Sequence, residues 1–240
     1  MLSLLADPLL ALFYPQHCGS CGRLVESAAD GAACRACWNA TRIFDPSDPL
    51  CPKCGTPLSS DAKRAISSCG QCDEFYFDAA FSSGLYHKAL AATILALKKV
   101  PSVSKTVDRL LIDAFGRISP TSEFSVVPVP LSKQRLHERG FNQATLLARR
   151  IAGHSGAPID EFSLIRKRDT PFHRAAMDKK ARAASVRNVF AVVRPNLIRG
   201  RKIILVDDLM TSGSTASNCA KVLKQSGAGQ VIVMTLARAL

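Results

Sequence analysis

IILVDDLMTSGST, residues 203–215, opens as an unbroken apolar run and closes in small hydroxylated residues. A short apolar run with no polar alternation reads as a strand buried on both faces, the usual state of a central strand in a parallel sheet. The strand is expected to end at Asp207 and Asp208, with Thr211, Ser212, Gly213, Ser214 and Thr215 leading into a helix. Backbone N–H groups at such a helix start, surrounded by hydroxyls, make an anion cradle. The helix dipole favours the charge, and a glycine allows close approach. Two adjacent carboxylates beside the cradle suit the hydroxyls of a sugar attached to the anion, so the pattern fits a ribose 5-phosphate. Capping the helix is the simpler use of an acid there, but two adjacent acids exceed that need. Neither G-x-x-x-x-G-K-[ST] nor G-x-G-x-x-G occurs, which argues against nucleoside triphosphates and dinucleotides.

On either side of this stretch, strand-like runs alternate with helical periodicity. FDAAFSSGLY (77–86), FSVVPVP (124–130), FSLIRK (162–167) and QVIVMTLA (230–237) read as strands. HKALAATILALKK (87–99), SKTVDRLLIDAFGRI (104–118), GFNQATLLARRIAG (140–153) and the stretch from Ser212 read as helices. Alternation of this kind predicts an α/β domain over 77–240, with a mainly parallel sheet covered by helices on both faces. Residues 1–15, apolar but interrupted by Asp7 and Pro8, read as an N-terminal helix.

Residues 16–76 are different in kind. Eight of the nine cysteines fall there as four C-x-x-C pairs: Cys18/Cys21, Cys34/Cys37, Cys51/Cys54 and Cys69/Cys72. The layout repeats, with Cys18 and Cys51 thirty-three residues apart and a glycine (Gly22, Gly55) after the second cysteine of each leading pair. Glycine there lets backbone N–H groups turn toward the thiolates. Four thiolates per site make a closed tetrahedral zinc site, so about two structural zinc ions are expected. The repeat favours two consecutive sites, while an interleaved cross-brace would use the same eight residues. A segment with so few large apolar residues needs its metals to fold. His17 reads as a bystander, and Cys219, on a helix face, as a core residue.

The net charge of +13 is unevenly spread: residues 1–77 hold 6 basic and 8 acidic side chains, and residues 131–187 hold 13 and 5. A basic stretch of that density suits an anionic partner or a solvated surface. No apolar run approaches a membrane span, and no export signal is recognisable ahead of the cysteines. A soluble protein of the reducing cytoplasm, without membrane insertion, is the expectation.

The thirteen residues from Ile203 resemble the phosphoribosyl-pyrophosphate (PRPP) motif of type I phosphoribosyltransferases. VVPVPLSKQRLHERGFNQATLLAR (126–149), LIRKRDTP (164–171), SVRNVFAV (185–192) and the cysteine module resemble the competence protein F (ComF) family. LKKVPSVS (97–104) stands where that family usually has a run rich in lysine, tyrosine and glycine. The resemblance implies a type I phosphoribosyltransferase domain behind a double zinc ribbon. It implies that Asp207 and Asp208 contact the ribose 2′- and 3′-hydroxyls and that Thr211 through Thr215 hold the 5′-phosphate. The turn after Val129 and Pro130, carrying Lys133, Arg135 and Arg139, becomes the pyrophosphate loop. Mg²⁺ would accompany the ligand, held mainly by the ligand's own oxygens and waters. The basic stretch 166–187 corresponds to a mobile flap, with Lys179, Lys180 and Arg182 as its candidate catalytic cations.

Three functions remain open on the sequence. The family name implies DNA uptake in natural transformation, with single-stranded DNA and a helicase as partners. Scarce aromatics, 6% with one tryptophan, leave phosphate contacts rather than base stacking to carry such binding. An active phosphoribosyltransferase would transfer its sugar to a nitrogen acceptor, for which any hood must come from residues 75–120 or the cysteine module. A zinc-ribbon scaffold that docks a protein partner is the third.

Overall fold

In a computed structural model of the chain, residues 15–58, 69, 72–118, 123–168 and 189–240 are described. They run through α1 (Arg35–Asn39), β1 (Ala79–Leu85), α2 (Lys88–Leu97), α3 (Lys105–Gly116), β2 (Phe124–Pro128), α4 (Lys133–Arg139) and α5 (Gln143–Ser155). There follow β3 (Leu164–Arg166), β4 (Phe190–Val192), β5 (Lys202–Met210), α6 (Ser214–Gln225) and β6 (Gln230–Arg238). The N-terminal helix expected over 1–15 lies outside the described residues except for Pro15.

Four strands form a sheet in the order β1-β6-β5-β2, every pairing parallel. β3 and β4 form a separate antiparallel pair. Alternation along β5 fills both faces of the large sheet. Ile203 and Leu205 are buried with Cys219, Ala220 and Leu223, the inner side of α6. Ile204 and Val206 are buried on the other face with Leu90 and Ile94 of α2, Leu111 of α3 and Leu147 and Ile151 of α5. The chain is thus α/β with helices on both faces of a parallel sheet, as its alternating pattern predicts.

Two boundaries differ from the sequence reading. β5 does not stop at the two acids: Asp207, Leu209 and Met210 pair with Thr235, Ala237 and Arg238, because β6 is equally long and offers backbone partners. The segment after Pro130 is not simply a turn, since Ser132 accepts the Arg135 N–H and starts α4. Gly140, with φ 76°, ends it.

Both outer strands of the large sheet are covered. Phe44 donates to Ser83 O and Leu85 to Arg42 O, both at 2.9 Å, so the stretch between the two cysteine clusters lies along β1. Val126 donates to Pro158 O and Asp160 to Val126 O, both at 2.9 Å, along β2. Paired edges leave little backbone free to recruit another strand. Among the described residues no helix is long and apolar enough to cross a membrane.

Gly84 sits under the crossing stretch. A Cβ there would overlap Arg42 O and come within 2.9 Å of Leu90 Cδ1 and 3.1 Å of Ile43 Cα. Gly84→Ala is therefore expected to destabilise the protein by about 1–3 kcal/mol. Urea denaturation checks this as a lower midpoint at unchanged slope.

Candidate functional site

The cysteines form two consecutive clusters, Cys18/Cys21/Cys34/Cys37 and Cys51/Cys54/Cys69/Cys72, the ligand atoms of each lying within 4.8 Å of one another. The repeat expected from the sequence recurs in the backbone. His17 bridges Leu24 and Leu50 bridges Pro57, the same pair shifted by thirty-three residues. Gly22 and Gly55 take φ values of 75° and 68°, and their N–H groups return to Cys18 O and Cys51 O at 2.9 and 2.8 Å. His17 Nδ1 lies 2.9 Å from Gly22 O, bracing the turn rather than joining a cluster.

Four sulfurs so close cannot all ionise without a cation. Arg23 donates to the Cys21 sulfur and draws that thiol down to about 6, while burial pushes Cys37 up to about 12. At Cys51 burial acts upward, but the N–H groups of Cys54, Lys53 and Cys69 outweigh it and bring the thiol to about 7. Tetrahedral zinc with Zn–S bonds of about 2.3 Å spaces its sulfurs about 3.8 Å apart. Cys21 and Cys34 are 3.6 Å apart, Cys51 and Cys72 3.7 Å, and Cys54 and Cys69 3.5 Å. Both clusters fit structural zinc, with all four positions filled by protein.

The second assembly lies where β5 passes into α6. Since Ile203 and Leu205 face α6, the same alternation puts Asp207 on the Cys219 side and Asp208 on the opposite face. Asp208 is only 5% exposed, and its Oδ2 has no hydrogen bond, facing Lys98 Nζ at 3.3 Å in an ion pair. Arg139 is drawn in from α4: burial lowers its pKa, nearby Arg135 adds to that, and the charge of Asp208 opposes both. Asp207 Oδ1 accepts the Asp208 N–H at 2.8 Å. Beyond the acids, Ser212 and Ser214 hydroxyls lie 3.0 Å apart. Gly213, φ 73°, occupies the N-cap position of α6, which has no side-chain cap. Ser104, Ser132 and Asn142 cap α3, α4 and α5, while α2, like α6, starts without a side-chain cap. At the start of α6 the Ser214 N–H reaches Ser212 Oγ at 3.5 Å.

Competence protein ComFC of Bacillus subtilis is 30% identical over 201 residues, covering 79% of this chain and 78% of that protein. The chain belongs to the ComF family. Two further relatives span nearly the whole chain. Competence protein F of Haemophilus influenzae is 28% identical, over 95% of this chain and 99% of its own. DNA utilization protein YhgH of Escherichia coli is also 28% identical, over 95% and 100%. The double zinc ribbon domain family matches residues 9–73. Among solved structures, a glutamine PRPP amidotransferase from B. subtilis, complexed with ADP and GMP, aligns with a TM-score of 0.37 at 18% identity. That alignment covers 62% of this ComF chain and 27% of the amidotransferase chain.

In this ComF chain the cradle residues Thr211, Ser212, Gly213, Ser214 and Thr215 are contiguous with Asp207 and Asp208. Arg139 is half-buried at the end of α4 and donates to Gln143 Oε1 at 2.9 Å, whereas Lys133 and Arg135 are exposed. Lys179, Lys180 and Arg182 lie outside the described residues. Sequence reasoning missed Lys98 as a partner of Asp208. The one signal was its place at the end of an otherwise apolar helix, where a lysine has no local acid to pair with.

Elemental analysis is expected to find about two zinc ions per chain and about one in a Cys18→Ser variant. Asp207 yields a stability test. Burial of its carboxyl, then the adjacent Asp208 carboxylate, hold it well above its ordinary value of 3.8. The folded chain keeps this proton where the unfolded chain has lost it, so stability declines as pH climbs from about 4 toward the raised value. Asp207→Asn removes that decline: calorimetry is expected to show a higher Tm than wild type at about pH 7 and little difference at about pH 3.

Proposed function

We propose that this chain binds PRPP at the β5–α6 junction and serves DNA uptake in natural transformation. The observation that carries the ligand half is the convergence at one junction of an acid pair, an uncapped helix start and two cations. N–H groups of residues 212–215 and the neighbouring hydroxyls take the 5′-phosphate, where the dipole of α6 favours negative charge. Asp207 and Asp208 accept from the ribose hydroxyls. Lys98, ion-paired with Asp208, and Arg139 of α4 meet the pyrophosphate as the ligand enters. Asp208 keeps a buried Oδ2 without a hydrogen bond, an acceptor left for such a hydroxyl. Mg²⁺, carried on the ligand's own oxygens, supplies further neutralisation of the pyrophosphate.

The uptake half is supported by family membership and by the names of the relatives, competence protein F, competence protein ComFC and DNA utilization protein. The basic stretch 131–187, with 13 basic against 5 acidic residues, is the part of the sequence with which the chain would hold single-stranded DNA through phosphate contacts. Lys98 and Arg139 also favour a second reading: cations beside the acid pair would stabilise pyrophosphate as a leaving group, as an active phosphoribosyltransferase requires.

Titration calorimetry with PRPP and Mg²⁺ is the direct test. Saturable binding is expected, with the Asp207→Asn/Asp208→Asn double variant losing about 1.5–3 kcal/mol per charged hydrogen bond removed. Equal affinity in the double variant removes the ribose assignment. Fluorescence anisotropy with single-stranded DNA is expected to show weak binding that falls steeply between low and moderate salt. An absence of binding at both removes the DNA surface, and pyrophosphate release with a nitrogen acceptor would move the second reading ahead.

A further inference from the structure

Gly213 has a neighbour from a distant part of the chain. A Cβ at this position would lie 2.8 Å from Phe75 Cζ, 2.9 Å from Phe75 Cε2 and 3.0 Å from Met210 Cε. The Cζ–Cε2 side of the Phe75 ring therefore lies against the one residue of the cradle that has no side chain. The next residue continues the contact: the Tyr76 N–H donates to Ser217 Oγ at 3.1 Å, one turn into α6. Lys221, a turn further, lies 4.9 Å above the Tyr76 ring. The outer side of the α6 start is thus braced at three successive levels by two consecutive residues.

Those two residues hang from the second cysteine cluster. Phe75 donates its N–H to Cys72 O at 3.0 Å, and its ring lies 4.9 Å from the Phe77 ring, tilted by 39°. Phe77, Cys51, Cys54 and Cys72 belong to the same buried cluster as Met210, Ala216 and Cys219. The other flank of the cradle is tied to the same cysteines. Arg238, buried, donates to Cys54 O at 2.6 Å and places a second nitrogen 3.8 Å from Cys54 Sγ. It pairs in register with Met210, whose carbonyl also accepts the Ala239 N–H. Residues 211–213 are therefore bracketed, by Met210 held through Arg238 and by Gly213 held through Phe75, and both holds end on one cluster.

We propose that Phe75 is a positioning residue of the phosphate cradle and that metal filling of the Cys51/Cys54/Cys69/Cys72 cluster, acting through it, sets how tightly the cradle holds phosphate. The affinity arm of this proposal rests on the PRPP reading above. The physical reason is the freedom of the loop. A glycine at positive φ beside small hydroxylated residues has many conformations, and a cradle that must be ordered by its ligand binds more weakly than one already ordered. Metal fixes Cys72, Cys72 fixes Phe75 within three residues, and Phe75 closes the space into which Gly213 would otherwise move.

Hydrogen–deuterium exchange on the ligand-free, full-length zinc protein reads the positioning without any ligand. Phe75→Ala is expected to raise exchange across 210–217 while leaving 124–128 unchanged and zinc content at the wild-type level. Phe75→Leu, which keeps most of the packing, is expected to restore slow exchange. Partial chelation of wild-type protein should raise exchange at 210–217 before 124–128, and in Phe75→Ala it should add little there. In calorimetry with PRPP and Mg²⁺, Phe75→Ala is expected to bind about tenfold more weakly, with Phe75→Leu close to wild type. Unchanged exchange at 210–217 in Phe75→Ala overturns the proposal. Equal rises at 210–217 and 124–128 on chelation overturn the link to the metal, making the cluster a support of the whole fold. Wild-type protein that binds no PRPP, yet shows the exchange pattern, sinks the ligand reading and leaves the positioning role standing.

Discussion

The alternation of β5 is the constraint on which the rest of the structure depends. Ile203 and Leu205 must face α6, and Ile204 and Val206 must face α2, α3 and α5, because both faces of the strand are buried. A slip of one residue would exchange the two sets and leave neither core filled. The same alternation then carries into the acids. Asp207 inherits the α6 face and Asp208 the other, where Lys98 pairs with it from the end of α2. A register fixed by apolar packing thereby decides which cations meet which carboxylate.

A raised Asp207 is unfavourable in the free protein, and the buried Asp208 oxygen has an ion pair with Lys98 but no hydrogen bond. Sites that hold ligands commonly keep such groups at a cost in stability, because the ligand supplies the missing partners. The start of α6 has no side-chain cap at its N-cap position, a trait it shares with α2.

The cysteine clusters do more than fold their own segment. The stretch joining them pairs with the outer edge of β1, and Gly55 lies so close to β1 that a Cβ would come within 2.7 Å of Ala80 O. The first cluster packs on Ala89 and Ala92 of α2, and the second shares a core with α6 and the central strands. A small cysteine-rich segment with little apolar surface of its own gains its stability from metal and from these contacts together.

The sequence by itself determined the α/β class, the parallel sheet with helices on both faces, the eight cysteines of the two clusters and the run of small hydroxylated residues that follows the acid pair. Each of these is written in local pattern: apolar runs, helical period, C-x-x-C pairs and the passage from VDD to TSGST. The tertiary structure alone decided the pairing of the clusters as consecutive, since an interleaved arrangement uses the same residues. It also decided the continuation of β5 to Met210, because a strand's end depends on the length of the strand beside it. Lys98 beside Asp208 and Phe75 against Gly213 are contacts between residues more than one hundred positions apart. Such contacts leave no periodicity in a sequence; they exist only where separate elements pack, so folding brings them together and local pattern cannot.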